Sequence, residues 1–258
     1  MERQRWASFI LICALLISLQ KSTFDHPTPE PLYSSALGEH KSIAMADGSN
    51  VQLNTNTLAS VEINTRSRAV TIRHGEALLR IAADPRPFVI HLGATDFETS
   101  EVALAHVRLD PDGVTEVDVL KGEGWIRPAA ATVHGRFQPL RVSAGNSFSL
   151  HDDVRIVQQF DPSEMTRKLA WTLGQIVLAG EPLRDAVAEF NRYNRRQLLV
   201  GDESIANLPT GGTFYVTEPD TFTRSLSQLF GIRAVRMRPS TPATADAVML
   251  VGGSYSGL

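Results

Sequence analysis

Between Ser42 and Val157 apolar and polar residues alternate with a period of two, and turn residues cut the alternation into short pieces. Val51 and Leu53, then Ala59, Val61 and Ile63, then Val70 and Ile72, then Leu79 and Ile81, and finally Val89 flanked by Phe88 and Ile90 are separated by DGSN, NTNT, RSR, HGE and DPRP. Side chains of an extended chain point alternately to opposite faces, so this period marks strands with one buried face. No ten-residue stretch of this region places apolar residues at helical spacing. The expected fold is a mainly β N-terminal domain of many short strands, arranged as a sandwich or a solenoid-like stack. Within it Val70, Ile72, Gly75, Glu76, Leu79 and Arg80 recur as Val117, Val119, Gly122, Glu123, Ile126 and Arg127. This reads as a hairpin used twice, with Gly75 and Gly122 as structural turns at positive φ.

After Phe160-Asp161-Pro162 the pattern changes. Trp171, Leu173, Ile176 and Leu178 suggest a strand. Pro182 suits a first helical turn, and Leu183, Ala186, Val187, Phe190 and Tyr193 form a one-sided apolar stripe through about Arg195. Leu198 to Val200 reads as a short strand, and the turn Leu208 to Gly212 leads into a strand from Thr213 to Val216. A second helix begins at Pro219, carries Phe222, Leu226, Leu229 and Phe230 on one face, and ends at Gly231 before a strand from Ile232 to Met237. The order β, α, β, β, α, β defines a small α+β C-terminal domain, with Trp171 and Phe190 expected in its core and Ala247 to Val251 as a candidate last strand.

The N-terminal segment Trp6 to Leu19 has no charge and follows Arg3 and Arg5. As a helix it would be roughly 21 Å long at 1.5 Å per residue, short of a hydrocarbon layer of about 30 Å. It suits a signal-peptide core or a short anchor, and the poor small-residue pattern around Ser18 to Ser22 favours one N-terminal membrane helix that is kept. The arginines orient its start inside. The expected organisation is a signal anchor or signal peptide at 1–21, a Pro-containing linker at 22–41, the β domain at 42–158, the α+β domain at 159–240 and a tail at 241–258. The expected location is the inner membrane, crossed once, with the bulk of the chain in the periplasm.

Composition narrows the chemistry. A net charge of −3 gives no basic field for phosphate backbones, so no nucleic-acid partner is expected. The lone Cys13 excludes a disulfide framework within the chain. Histidines at 26, 40, 74, 91, 106, 134 and 151 show no ligand spacing, so no metal is expected. The matched carboxylates Glu76 and Glu123 are explained by repeated turn positions rather than by a cleft. Gly253 to Gly257 has tyrosine where a nucleophile elbow needs serine, and Gly211-Gly212 is not followed by lysine. No enzyme activity, catalytic residue or cofactor is therefore expected. Two features suit partner binding. One is the basic, aromatic helix end with Arg192, Tyr193 and Arg195. The other is an edge strand bearing Thr213 and Tyr215, open to strand addition.

The runs ADGSNVQLNTNT (46–57), RAVTIRHGEALLRIAADPRPFVI (68–90), GATDFET (93–99), VDVLKGEGWI (117–126) and SAGNSF (143–148) resemble the periplasmic domain of FecR-family regulators. The region 171–200, LPTGGTFYV and the Phe222 to Phe230 helix resemble the family's C-terminal domain, itself similar to the short N-terminal domain of secretins and TonB-dependent receptors. GATDF stands where the family usually has Gly-Thr-x-Phe, and KGEG replaces a more common glutamate-glycine pair. The resemblance implies a non-enzymatic anti-sigma factor or signal transducer of the inner membrane. Its implied partners are the signalling domain of a TonB-dependent outer-membrane transporter and an extracytoplasmic-function sigma factor or separate cytoplasmic anti-sigma chain, usually in iron-siderophore or carbohydrate uptake. Five residues ahead of Trp6 cannot fold the family's N-terminal cytoplasmic sigma-binding domain, so that part is expected to be missing from this sequence. A downstream start, a separate chain or a protein that keeps only the sensing half would each account for this. The alternative reading is an envelope structural adaptor that docks a secretin or transporter.

Overall fold

The computed structural model describes residues 31–129, 138–152, 154–237 and 246–253. The expected membrane helix at 6–19 and linker residues 22–30 lie outside the described residues. No helix among the described residues is long and apolar enough to cross a membrane.

Thirteen strands build the N-terminal part. They are β1 (Leu32–Ser34), β2 (Lys41–Ala44), β3 (Asn50–Leu53), β4 (Leu58–Ile63), β5 (Arg68–Ile81), β6 (Phe88–Leu92), β7 (Thr95–Thr99), β8 (Ala103–Leu109), β9 (Thr115–Lys121), β10 (Glu123–Pro128), β11 (Leu140–Ser143), β12 (Asn146–His151) and β13 (Val154–Gln159). They form two layers that share the long strand β5. Its first half lies in the layer β1-β4-β5-β6-β7-β10-β11. Its second half lies in the layer β2-β3-β5-β8-β9-β12-β13. All neighbours are antiparallel except β5 and β6. Val70, Ile72, Phe88, Phe97 and Ile126 from the first layer and Val51, Leu79, Val107, Val117 and Phe148 from the second bury one continuous core. The period-two pattern thus yields a two-layer β module.

The repeated Gly-Glu step is not a hairpin. Gly75 sits inside β5, and Gly122 separates β9 of the second layer from β10 of the first, so each marks a corner where the chain changes layer. Both have positive φ, +100° at Gly75 and +79° at Gly122. A Cβ on Gly75 would lie 2.3 Å from the Thr57 hydroxyl, and one on Gly122 would lie 2.4 Å from the Val102 carbonyl. A side chain fits neither corner.

Two expected boundaries also move. β1 pairs with β4 and Tyr33 packs on the core, so the β module begins at Leu32 rather than at 42. At the other end, β18 (Ala247–Val251), within the expected tail, is the middle strand of a sheet. The C-terminal module comprises α1 (Pro162–Lys168), a 3-10 turn (Ala170–Leu173), β14 (Gln175–Pro182), α2 (Leu183–Asn191), β15 (Gln197–Val200), α3 (Glu203–Ala206), β16 (Pro209–Tyr215), α4 (Pro219–Phe230), β17 (Arg233–Met237) and β18. Trp171 and Leu173 therefore lie on a 3-10 turn closed by Gly174 at φ +70°, and not on a strand. The Asp161 carboxylate accepts from the Ser163 N–H at 2.7 Å and starts α1. β14 pairs with β16, and a second sheet runs β15-β18-β17. Leu183, Val187 and Phe190 of α2 and Phe222 and Leu226 of α4 close a separate core with Leu198 and Leu250. Phe190 stacks on Phe222 with ring centres 4.5 Å apart. Trp171 also packs in this core.

Candidate functional site: a buried charged junction between two cores

The outer face of the second layer carries the polar phase of three strands. Ala77 and Leu79 of β5, Ala105 and Val107 of β8, and Val117 and Val119 of β9 point into the β core. Glu76, His106 and Asp118 therefore point the other way. His106 lies directly opposite Asp118 and diagonal to Glu76 in the ladder. That face would ordinarily meet water, yet Glu76, His106 and Asp118 are 3%, 1% and 0% exposed. They are covered by Lys168, at the end of α1, and by Arg192 and Tyr193, just past the end of α2.

The Gly75 corner sets the first of these groups. Thr57 fills the space that a Cβ would need, its hydroxyl donating to the Glu76 carbonyl at 3.2 Å and accepting from the Glu76 N–H at 3.0 Å. The carboxylate then points at His106. The two imidazole nitrogens lie 2.9 Å from Glu76 Oε1 and 2.8 Å from Asp118 Oδ2. A ring that faces a carboxylate at each nitrogen donates from both, so it is the imidazolium. Burial alone would lower its pKa, but the hydrogen bonds and charges of Asp118 and Glu76 push it up to about 9. Burial likewise opposes the charge on Glu76, but the Arg192 guanidinium and His106 hold its carboxyl well below the usual range. Asp118 is also held low, burial being outweighed by His106 and Lys168.

The α+β module supplies the opposing cations. Arg192 Nη2 donates to Glu76 Oε2, and its Nη1 donates to Glu189 Oε1 at 3.0 Å. Burial disfavours this charge, but Glu76 and Glu189 more than restore it and raise the pKa. Lys168 Nζ lies 3.4 Å from Asp118 Oδ2 and 3.6 Å from Glu116. Neutral contacts complete the grip. The Asn54 amide donates to the Tyr193 hydroxyl at 2.9 Å and to Glu76 at 3.0 Å. The Thr55 hydroxyl donates to the Arg192 carbonyl at 3.1 Å while accepting from the Gly38 N–H at 2.8 Å. Gly38, at φ +78°, lets the β1–β2 loop approach so closely that a Cβ would lie 2.9 Å from the Tyr193 carbonyl. His40 from the same loop meets Trp171 edge-on at 5.7 Å. A cleft of about 340 Å³ runs along the junction, lined among others by His106, Lys168, Trp171 and Glu189.

This arrangement suits holding better than catalysis. An imidazolium clamped between two carboxylates has no lone pair with which to accept a proton. The structure brings Arg192 and Tyr193 together, but against the chain's own β module, with Tyr193 only 4% exposed. Arg195 is exposed outside the junction. Thr213 and Tyr215 are exposed on β16, whose strand partner among the described residues is β14. Glu76 and Glu123 part company: the first is buried in the junction, and the second is half-buried beside Arg141. Sequence reasoning missed His106, Asp118, Asn54 and Lys168. The available signal was His106 and Asp118 flanked by apolar residues within ALAHVRL and TEVDVLK, which alternation alone assigns to a wet face.

The fold is thus a two-layer β module joined to a small α+β module by buried charges. Residues 32–123 match the family described as FecR protein. Two crystal structures of a candidate anti-sigma factor from Parabacteroides distasonis ATCC 8503 share the fold. One, at 1.65 Å resolution, has a TM-score of 0.66 and 17% identity, and the match covers 87% of this chain and 100% of the other. The second, at 2.50 Å, has a TM-score of 0.65 and 17% identity, covering 87% and 99%. No curated protein matches the chain.

Proposed function

We propose that this chain is a non-enzymatic signal transducer, anchored in the inner membrane with its bulk in the periplasm. It relays the state of a TonB-dependent outer-membrane transporter to an extracytoplasmic-function sigma factor. The observation that carries this reading is the FecR match over 32–123, within a fold shared along 87% of the chain with a candidate anti-sigma factor. Binding serves such a role, because a signal passes only if a partner prefers one state of the chain over another. The open edge of β16, with Thr213 and Tyr215 exposed, suits strand addition by the transporter's signalling domain. Arg195, exposed between α2 and β15, adds a cation for the same partner. The apolar segment 6–19 behind Arg3 and Arg5 supports the anchor and its orientation. A deletion strain tests the reading: transporter-gene induction should be lost and should return with the full chain. Induction that survives deletion contradicts it, and failed envelope assembly with intact induction would favour an adaptor instead.

A further inference from the structure

The two cores do not merge. The β core and the α+β core are separate clusters, and among the described residues Leu78 of β5 packs against the second while His40 meets its Trp171 and Tyr193 edge-on. The other contacts that join the modules are polar: Arg192 to Glu76, Lys168 to Asp118 and Glu116, Asn54 to Tyr193, and Thr55 to the Arg192 carbonyl. The covalent connection leaves β13, whose residues are all exposed, and passes through Phe160 and the exposed Asp161-Pro162 into α1.

Such an interface has an asymmetric energy. Removing one member of a buried ion pair strands the other charge without water or partner and is costly. Separating both members together rehydrates both, which largely offsets the lost attraction. An interface carried largely by charge pairs is thus sensitive to the loss of either partner yet parts more readily as a whole. His106 links the two pairs, because its imidazolium donates to Glu76, which holds Arg192, and to Asp118, which holds Lys168. Loss of one pair leaves His106 and the other carboxylate poorly balanced, so the two pairs break together.

We propose that this junction is a releasable latch: the α+β module leaves and rejoins the Glu76–His106–Asp118 face as a unit, and this step is how a bound partner changes the state of the chain. The inference rests on the signalling role above and adds the regulated step to it. A partner that binds the free form better shifts the population by its difference in affinity for the two forms.

Amide hydrogen exchange on the full chain, wild type against Glu76→Gln, tests the latch. Exchange should rise at least about tenfold, the equivalent of losing a modest part of a buried pair, in peptides over Asn54–Thr57 and Phe190–Asn194. Peptides over β6, β7 and α4 should keep wild-type rates, because each module has its own core. A uniform rise across both modules would show one cooperative body and overturn the latch, as would no change at the junction. Gly38→Ala provides a second route, since it crowds the Tyr193 carbonyl without touching a charge, and it should give the same local pattern. In cells, Glu76→Gln should make transporter-gene output insensitive to inducer. Normal induction by a variant that is open in vitro would refute the latch as the regulated step while leaving the signalling role intact. Loss of the signalling role is read separately, in the deletion strain.

Discussion

His106 shows what one residue contributes and how it escapes notice. Its partners are Glu76 from β5 and Asp118 from β9, and Arg108, Glu116, Lys168, Arg192 and Tyr193 line the same cleft. Its pKa rises from 6.5 to about 9 in the folded chain. Folding therefore binds a proton between these values, and the stability it adds is complete below pH 6.5 and lost as pH rises through about 9. At most about 3 kcal/mol is at stake, from the size of the shift. Urea unfolding from pH 6 to 10 should show this decline, and His106→Gln should flatten it. A decline of equal size in the variant would assign it elsewhere. Glu76, held below its ordinary 4.5, acts oppositely: its contribution is present above pH 4.5 and fades as pH falls. Little of this was legible in the sequence. The alternation within ALAHVRL and TEVDVLK is compatible with a polar phase at His106 and Asp118, but the polar phase of a sheet is wet only if nothing covers it.

At the scale of elements, the helical stripes were readable because the Leu183 to Phe190 and Phe222 to Leu226 spacings admit one buried face. The shortest pieces were not. The 3-10 turn at Trp171 has no room for a period, and α3 spans only Glu203–Ala206. β18 gains its central place through pairing with β15 and β17, a long-range choice that local residues do not encode. The Gly-Glu repeat was visible as sequence, but a glycine at positive φ serves a reversal and a layer-changing corner equally well. The corner makes a sharp prediction. Gly75→Ala forces a Cβ into the Thr57 hydroxyl at a φ that alanine rarely adopts. A loss of about 2–4 kcal/mol is expected, the range for strained backbone with overpacking. Gly113→Ala, where a Cβ meets nothing within 4 Å, carries the φ cost of +89° alone and should lose less. Equal losses in thermal unfolding would mean that the close approach at Gly75 does not matter.

For the whole molecule, a β module followed by an α+β module was evident from the change of period near Asp161. How the two meet was not. Arg192 and Tyr193 looked like anchors for another protein, and their chemistry is that of an interface. The interface they serve within this chain is the junction itself, where Arg192 answers Glu76 across a sequence separation of 116 residues. No local pattern reports a contact of that range. The account rests on this pair being a true coupling between modules. A double-mutant cycle on Glu76→Gln and Arg192→Gln, read by urea unfolding, measures it directly. The account predicts that each single change destabilises the chain and that the double change costs less than their sum by about 1–3 kcal/mol. Strictly additive losses would contradict it.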